Sequence, residues 1–425
     1  MKSFKEYLLK DCLEFIIDHR GKTPTKMGGT WVEKGVRVIS ALNVHNGSID
    51  NVDQIRCVTE EVYKRWMSED VKRNDCFIAS EGASLGENCI WDSDEKIVLG
   101  QRLYALRTNP EILDPWYFAC YMQTNKFRTQ IDQISTGSTV FGISQPVLLS
   151  VKLVLPEINQ QRVIGELYKN LKRKIENNNQ CNAELEAVAR TIYDYWFLQF
   201  DFPDENGRPY KSSGGKMVWN EELKREIPEG WKSVKLDTLC SFSNGINYDK
   251  NQNGDKEYSI VNVRNISNSS LLLDVREFDV INLLSTQAEK YIVDVNDILI
   301  ARSGTPGAVR LLRSNEKDVI YCGFIIKCSP YEKQQRLYLT YTLKKLEGSN
   351  ATKTGGSVMQ NVSQETLRQV DICLPPSYII DKYNMIAEEL LNKMQQLIYE
   401  NQELSSLRDF LLPLLMNGQV GFKEC

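Results

Sequence analysis

The sequence predicts a mixed α/β chain in which two pseudo-repeated globular domains are joined by two long helices that form an antiparallel coiled coil. Three observations predict this fold. The segment Gly137–Gln145 (GSTVFGISQ) returns about 219 positions later as Gly356–Gln364 (GSVMQNVSQ). Each copy leads to a Leu-Pro pair, Leu155-Pro156 or Leu374-Pro375, and then to a helical segment of about forty residues with heptad spacing. A chain of 425 residues also exceeds the size that one hydrophobic core usually supports.

The first globular domain is predicted over residues 1–156. Its apolar clusters, such as Val36–Leu42 and Ile97–Leu106, are short and rich in β-branched side chains, which is typical of strands. Turns at Gly28-Gly29 and Asn46-Gly47 separate the clusters. We therefore expect a mixed α/β domain with irregular connections.

The second globular domain, predicted over residues 227–375, repeats the landmarks of the first. Val38–Val44 (VISALNV) matches Ile260–Ile266 (IVNVRNI), and Asp75–Ser80 (DCFIAS) matches Asp297–Arg302 (DILIAR), both about 222 positions later. These two offsets and the offset of about 219 for the Gly137–Gln145 segment agree to within a few residues, as expected for one duplicated unit with small insertions in its loops.

Two long spacer helices are predicted over residues 157–200 and 376–418. A helix of forty residues is about 60 Å long, far more than either globular domain needs for its own core. We expect the two helices to pair, with buried asparagines fixing their register. The alternative, two independent amphipathic helices, stays open. The residues expected in the pairing are Ile164, Leu171, Ile175, Asn178, Leu185, Ile192, Leu390, Leu397, Asn401, Leu404 and Leu411.

Antiparallel pairing would place the two globular domains at opposite ends of a rod that fixes the distance between them. Residues 201–226 are rich in Gly, Ser, Pro and charge, so they are predicted to connect the first helix to the second globular domain.

Composition limits the class of protein. No apolar run approaches the roughly 18 residues that span a bilayer, so a cytoplasmic location is expected. Eleven cysteines without a Cys-x-x-Cys pair argue against a disulfide framework and a zinc site, and no metal site is predicted. The net charge of −4 predicts weak binding of nucleic acid by the chain alone, because phosphate contacts rely on Lys and Arg.

Catalytic residue patterns are scarce. Only His19 and His45 exist, and Arg20–Thr23 has the ending of a phosphate-binding P-loop but Ile16 at the required glycine position. Asp204, Glu222 and Lys224 match the loose spacing of metal-dependent nucleases, but they lie in the polar connector. We predict a non-catalytic protein, with a metal-dependent nuclease as the alternative.

The connector and the C-terminus carry a family resemblance. Phe200–Trp231, which ends in the sequence IPEGW, and Leu404–Leu415 followed by Asn417-Gly418 resemble segments of the specificity subunit of type I restriction-modification systems. With the duplicated domains and heptad helices, the resemblance covers essentially the whole chain.

This resemblance implies a role in host defence. Each globular domain would be a target-recognition domain for one half of a split site in double-stranded DNA, and the helices would set the spacer. Two methyltransferase subunits would supply S-adenosylmethionine, and restriction subunits would supply ATP- and Mg²⁺-dependent cleavage. The chain itself would need no cofactor. An adaptor that bridges proteins through its coiled coil without touching DNA is a further alternative.

Candidate DNA-binding residues lie in turn-rich loops of both globular domains. Arg and Lys can hydrogen-bond guanine edges, Asn and Gln adenine edges, and hydroxyl groups can hold phosphates. The candidates in the first domain are Arg20, Lys22, Thr23, Ser80, Ser84, Ser135, Thr136, Ser138 and Gln145. Those in the second domain are Asn244, Asn247, Arg302, Ser303, Thr305, Lys353, Ser357, Gln360 and Gln364.

Overall fold

The computed structural model describes residues 4–45, 47–50, 52–135, 141–249, 253–313, 317–347 and 362–421. The chain forms two compact units: unit 1 is Met1–Glu176 with Gln402–Cys425, and unit 2 is Asn177–Asn401. Each long helix therefore contributes one part to each unit.

Unit 1 carries eleven described strands and four short helices. The strands are β1 (Lys5–Leu8), β2 (Leu13–Asp18), β3 (Val36–Ile39), β4 (Val44–His45), β5 (Ser48–Ile49), β6 (Arg56–Val58), β7 (Cys76–Ala79), β8 (Asn88–Ile90), β9 (Ile97–Leu99), β10 (Leu103–Thr108) and β11 (Lys152–Leu155). The helices are α1 (Glu60–Trp66), α2 (Pro115–Met122), α3 (Asn125–Ile134) and α4 (Gln145–Leu149).

The strands of unit 1 form a four-stranded sheet in the order β2-β10-β7-β8, a three-stranded sheet β6-β3-β9, and the pairs β1-β11 and β4-β5. Local sequence explains where helices start. Thr59, Asp114 and Thr124 each accept a backbone N–H at the beginning of α1, α2 and α3, which satisfies groups that the helix leaves unpaired.

The long helices are α5 (Ile158–Tyr193), which continues as a π-helical segment over Asp194–Leu198, and a C-terminal helix over Ser377–Met416. Between them lie four short helices: α6 (Val263–Asn268), α7 (Ser285–Ala288), α8 (Arg336–Leu346) and α9 (Gln364–Arg368). The C-terminal helix is α10.

Unit 2 has the remaining strands: β12 (Met217–Asn220), β13 (Arg225–Pro228), β14 (Lys232–Lys235), β15 (Cys240–Asn244), β16 (Lys256–Val261), β17 (Asp279–Leu283), β18 (Ile298–Ala301), β19 (Val309–Leu311), β20 (Val319–Tyr321), β21 (Ile325–Pro330) and β22 (Asp371–Leu374). They form the sheets β15-β21-β18-β19 and β17-β16-β20, the pair β14-β22 and the hairpin β12-β13. Apart from the β12-β13 hairpin, these sheets repeat the larger sheets of unit 1 in order.

Registers and turns of the two units are equivalent. Leu155 lies opposite Lys5 in the β1-β11 pair, and Leu374 lies opposite Lys232 in the β14-β22 pair. Asp75 and Asp297 each accept a backbone N–H from the third residue before them, at 2.9 and 2.8 Å. The duplication seen in the sequence therefore extends to individual hydrogen bonds.

The long helices pack together as predicted. Within unit 2, Asn178 of α5 bonds to Asn401 of α10, and Tyr193 lies 6.3 Å from Tyr383 between ring centroids, so the helices run antiparallel. Within unit 1, α5 and α10 share a core that contains Ile164, Tyr168, Leu412, Leu415 and Met416. The predicted fold class is thus confirmed.

Burial along α10 departs from a strict heptad. Leu391 is fully buried whereas Leu390 is half-buried, and Met394 and Leu397 are buried farther along. A straight α-helix has 3.6 residues per turn, so a strict seven-residue pattern drifts around its surface.

The connector is more ordered than its composition predicts. Phe202 stacks on Trp231 with ring centroids 5.4 Å apart, and Phe200 meets the same ring edge-on at 5.3 Å. The rings of Phe197, Phe200, Phe202 and Trp231 are buried in the core of unit 2. These aromatic side chains, spaced among polar residues, hold the segment against the unit. No helix in the described part of the chain is long and apolar enough to cross a membrane.

Candidate nucleic-acid interface

In unit 1, three candidate loops converge at one end of the β2-β10-β7-β8 sheet. Arg20 Nη1 donates to the carbonyl oxygen of Ile143 at 3.4 Å, and the backbone N–H of Ile143 donates to the carbonyl of Ser80 at 2.8 Å. Gln101 Nε2 donates to the carbonyl of Lys22 at 3.1 Å. Segments that are far apart in the sequence therefore form one surface cluster.

Arg20 is held in a fixed orientation. Its Nε and Nη2 donate to the two carboxylate oxygens of Asp18 at 2.9 and 2.8 Å, and its guanidinium lies 4.4 Å from the centroid of the Tyr104 ring. The hydrogen bonds that Arg20 donates to Asp18 raise the pKa of Arg20. Although burial acts in the opposite direction, Arg20 lowers the pKa of Asp18.

The other cations of this cluster also have partners. Arg102 Nε lies 3.0 Å from a carboxylate oxygen of Glu81, and Lys22 Nζ donates to the carbonyl of Trp66 at 2.6 Å. Because Arg20 and Arg102 each face a carboxylate, these two pairs add little net charge to the cluster. Such a surface favours oriented hydrogen bonding over non-specific attraction to phosphates.

Several predicted residues of unit 1 are less available than the sequence suggests. Ser80 and Ser84 are buried, 1% and 9% exposed. Thr23 Oγ1 accepts the backbone N–H of Lys26 at 3.2 Å, and Ser135 Oγ donates to the carbonyl of Asp132 at 2.8 Å. Gln145 is the first residue of α4 and is half-buried. Arg20 and Arg102, which are both exposed, are therefore better placed than these hydroxyl groups to reach a ligand.

An equivalent cluster occupies the same end of the β15-β21-β18-β19 sheet in unit 2. The backbone N–H of Gly323 donates to the carbonyl of Ile246 at 2.8 Å. Arg302 Nη1 donates to the carbonyl of Gly323 at 3.2 Å, and the N–H of Val362 donates to the carbonyl of Arg302 at 3.0 Å. The structure thus brings the loops at 244–247, 302–305 and 362–364 together.

The predicted residues in this second cluster differ in exposure. Asn244, Asn247 and Thr305 are exposed, and the Thr305 hydroxyl lies 2.6 Å from that of Ser267. Arg302, Ser303 and Gln364 are half-buried, with Gln364 at the start of α9. The predicted residues Thr136, Ser138, Lys353, Ser357 and Gln360 lie outside the described residues.

Each cluster has at its centre a turn that is not among the residues predicted from the sequence. In unit 1 it is the turn between β9 and β10, which carries Gln101 and Arg102. In unit 2 it is the turn between β20 and β21, which carries Gly323 and Phe324. The two turns lie about 222 residues apart, each directly before one of two matching strands. This repeat is visible in the sequence and could have predicted the turns.

The nuclease-like pattern has a structural explanation in the connector. Asp204 Oδ1 accepts the backbone N–H groups of Asn206 and Arg208, both at 2.8 Å, and these bonds lower the pKa of Asp204. The Asp204 carboxylate thus stabilises the turn at residues 204–208. Within the described ranges, no group of three or more His, Cys, Asp or Glu side chains is arranged to hold a metal ion.

These features define a duplicated, two-unit protein in which equivalent α/β units carry equivalent surface clusters and share a pair of long helices. A family model described as the type I restriction modification DNA specificity domain matches residues 1–187 and 228–405, so the chain belongs to this family. It is a specificity subunit of a type I restriction-modification system, and this subunit is non-catalytic.

Individual relatives agree with the family. The chain is 24% identical to the type I restriction enzyme MjaIX specificity subunit of Methanocaldococcus jannaschii, over 72% of this chain and 69% of the relative. It is 21% identical to the HindI specificity subunit of Haemophilus influenzae, over 82% and 87%. The crystal structure of the type I S subunit from M. genitalium has a similar fold, with a TM-score of 0.57, 14% identity and coverage of 98% of this chain and 96% of that one.

Proposed function

We propose that each unit binds one half of a split duplex DNA site and that the paired helices set the spacer between the halves. The observation that carries this proposal is the duplicated loop cluster, in which the backbone N–H of Ile143 donates to Ser80 in unit 1 and that of Val362 donates to Arg302 at the equivalent place in unit 2. A protein with two equivalent reading surfaces suits a target with two separate parts.

The helix pair supports the role in spacing. Asn178 Nδ2 donates both to Glu400 Oε2 at 2.8 Å and to Asn401 Oδ1 at 2.9 Å, and Asn401 Nδ2 donates to Asn179 Oδ1 at 2.8 Å. Sliding one helix along the other would break all three bonds and bury unpaired polar groups. The helices therefore have one preferred register, which a fixed spacer requires.

Because this subunit is non-catalytic, methyl transfer and DNA cleavage would be carried out by partner subunits. Two methyltransferase subunits, one for each half-site, would dock on the helices and supply S-adenosylmethionine. Restriction subunits would add ATP- and Mg²⁺-dependent cleavage. Arg20 and Arg102, each paired with a carboxylate, offer little excess positive charge, so the methyltransferases would provide part of the attraction to DNA.

The test is duplex binding by the complex of this chain with its methyltransferase partner at low salt. Arg20→Ala and Arg302→Ala are each expected to weaken binding to the cognate duplex by about 10-fold, the loss of one good hydrogen-bonded contact. Tyr331→Ala, which removes an exposed aromatic at the other end of β21, serves as the control. Failure of the wild-type complex to bind any duplex would refute DNA recognition and favour the protein-bridging adaptor.

A further inference from the structure

We propose that Arg102 and Phe324 are specificity-determining residues: Arg102 reads a guanine in the half-site bound by unit 1, and Phe324 contacts a thymine methyl group in the half-site bound by unit 2. This inference rests on the proposed function and adds the base chemistry of each half-site to it.

Arg102 and Phe324 occupy the same position in the two units. The carbonyl of Arg102 accepts the N–H of Ser80 at 2.8 Å, and the carbonyl of Phe324 accepts the N–H of Arg302 at 2.9 Å. Two residues earlier, Gly100 donates to Ile39 at 2.7 Å, and Cys322 donates to Val261 at 3.0 Å. Four hydrogen bonds thus place the two residues at equivalent points of the duplicated fold.

Both residues lie where the candidate loops meet. In unit 1, Gln101 beside Arg102 contacts the loop at Lys22, while Arg102 itself contacts Ser80. In unit 2, Gly323 beside Phe324 contacts the loops of Ile246 and Arg302. In each unit the central turn therefore contacts two of the candidate loops.

The side chains are presented to solvent. The Phe324 side chain is 61% exposed, although it follows a buried strand and precedes another. The Arg102 side chain is 56% exposed, and its backbone has a φ of 65°, a left-handed conformation that a non-glycine residue adopts at a cost. A fixed backbone with an accessible tip is suited to reading a base edge.

The two side chains have different chemistry at the same point. A guanidinium can donate two hydrogen bonds to O6 and N7 of guanine, while a phenyl ring can only make apolar contact, for which the thymine methyl group is the partner in the major groove. Glu81, which holds Arg102 in the free protein, would be exchanged for the guanine edge. The two half-sites should therefore differ in the base that faces the central turn.

The experiment is methylation mapping by single-molecule sequencing in a host without other adenine methyltransferases, with the full chain and its partner expressed together. Arg102→Ala should relax one guanine position in one half-site. The ratio of methylation at the original motif to methylation at sites with another base at that position should fall on the order of 10- to 100-fold. Phe324→Ala should relax one thymine position in the other half-site by about 5- to 10-fold. Arg208→Ala and Tyr331→Ala, an exposed paired arginine and an exposed aromatic outside the clusters, should keep the wild-type motif.

Arg102→Lys keeps the charge but removes the planar fork, and Phe324→Leu keeps an apolar side chain. We expect Arg102→Lys to relax the guanine position as Arg102→Ala does, and Phe324→Leu to retain most of the thymine preference. If Arg102→Lys or both alanine variants kept the full specificity of the wild type, the inference would be overturned. A split motif methylated by the wild-type complex would still leave the proposed function intact. Absence of any motif with the wild-type chain would overturn the proposed function itself.

Discussion

Asn178 donates from its side-chain amide to the side-chain oxygen of Asn401, 2.9 Å away on the antiparallel helix. Asn178 is 3% exposed, so the bond lies in the seam of the helix pair and not on its surface. Polar pairs at such positions specify the register of coiled coils at some cost in stability. We infer that this pair fixes the register of the two helices that form the proposed spacer.

A double-mutant cycle tests the coupling of this pair. Asn178→Leu should lower the free energy of unfolding by about 1–3 kcal/mol, because Asn401 and Glu400 lose a buried partner. Adding Asn401→Leu should recover most of that loss, since neither amide of this pair is then left without the other. Denaturant unfolding of the four proteins measures the cycle, and strictly additive effects would mean that the two amides do not interact.

Lengthening both helices tests the spacing role. Seven residues inserted after Asn178 and seven inserted before Asn401 would add two turns, about 10 Å, to each helix and keep the apolar seams facing. The mapped methylation motif should keep both half-sites and gain about three base pairs of spacer, since base pairs rise about 3.4 Å each. An unchanged spacer would exclude the helices as its determinant.

In each unit, charged side chains of the globular part pair with a charged side chain of a long helix. The helix supplies the arginine in unit 1 and the carboxylate in unit 2. In unit 1, Asp92 accepts two hydrogen bonds from Arg173 of α5, at 2.8 and 2.9 Å. In unit 2, Arg313 and Arg336 donate to Glu388 of α10, at 2.5 and 2.9 Å. Asp92 and Arg313 follow the equivalent strands β8 and β19, so the two contacts correspond.

Burial predicts that these two contacts differ in their contribution to stability. Arg173→Ala should cost no more than about 1 kcal/mol, because the Arg173 side chain is 44% exposed and Arg73 still pairs with Asp92. Glu388→Ala should cost at least about 2 kcal/mol, because Arg336, 8% exposed, loses its carboxylate partner. Thermal unfolding of both variants provides the comparison, and equal losses would contradict the explanation by burial.

The Glu388 contact also predicts a dependence on pH. Burial alone would raise the pKa of Glu388, but Arg313 and Arg336 outweigh it and lower that pKa below its ordinary value of 4.5. A carboxylate with a lowered pKa stabilises the folded state above its unfolded-state pKa, and this contribution is lost as the pH falls through the folded-state pKa. Stability of the wild type should therefore fall more steeply below about pH 4.5 than that of Glu388→Gln. Parallel curves from scanning calorimetry would show that the contact is not linked to this proton.

Sequence patterns predicted the features that depend on periodicity. The duplication, the paired helices and the polar position of Asn178 are all visible as repeats or as breaks in a repeat. Leu391 is fully buried beside the half-buried Leu390, because a straight helix drifts from a seven-residue pattern. The order of the connector was missed because its few aromatic rings pack against Trp231, a contact that composition does not reveal.

The candidate interface was only partly predictable. Side-chain chemistry predicted the loops that carry Arg20 and Arg302, and both lie in the clusters. The burial of Ser80 and the central position of Arg102 depend on which strands pair, since β10 and β7 bring those residues together. Local sequence contains the side chains of a binding surface but not the long-range pairing that assembles it.

In the proposed function, two units read two half-sites at a fixed separation. The most direct test is genome-wide methylation mapping in a host that expresses this chain with its methyltransferase partner, beside a control that lacks this chain. We expect a split motif with one methylated adenine in each half, absent from the control. A continuous motif, or the same motif without this chain, would contradict it.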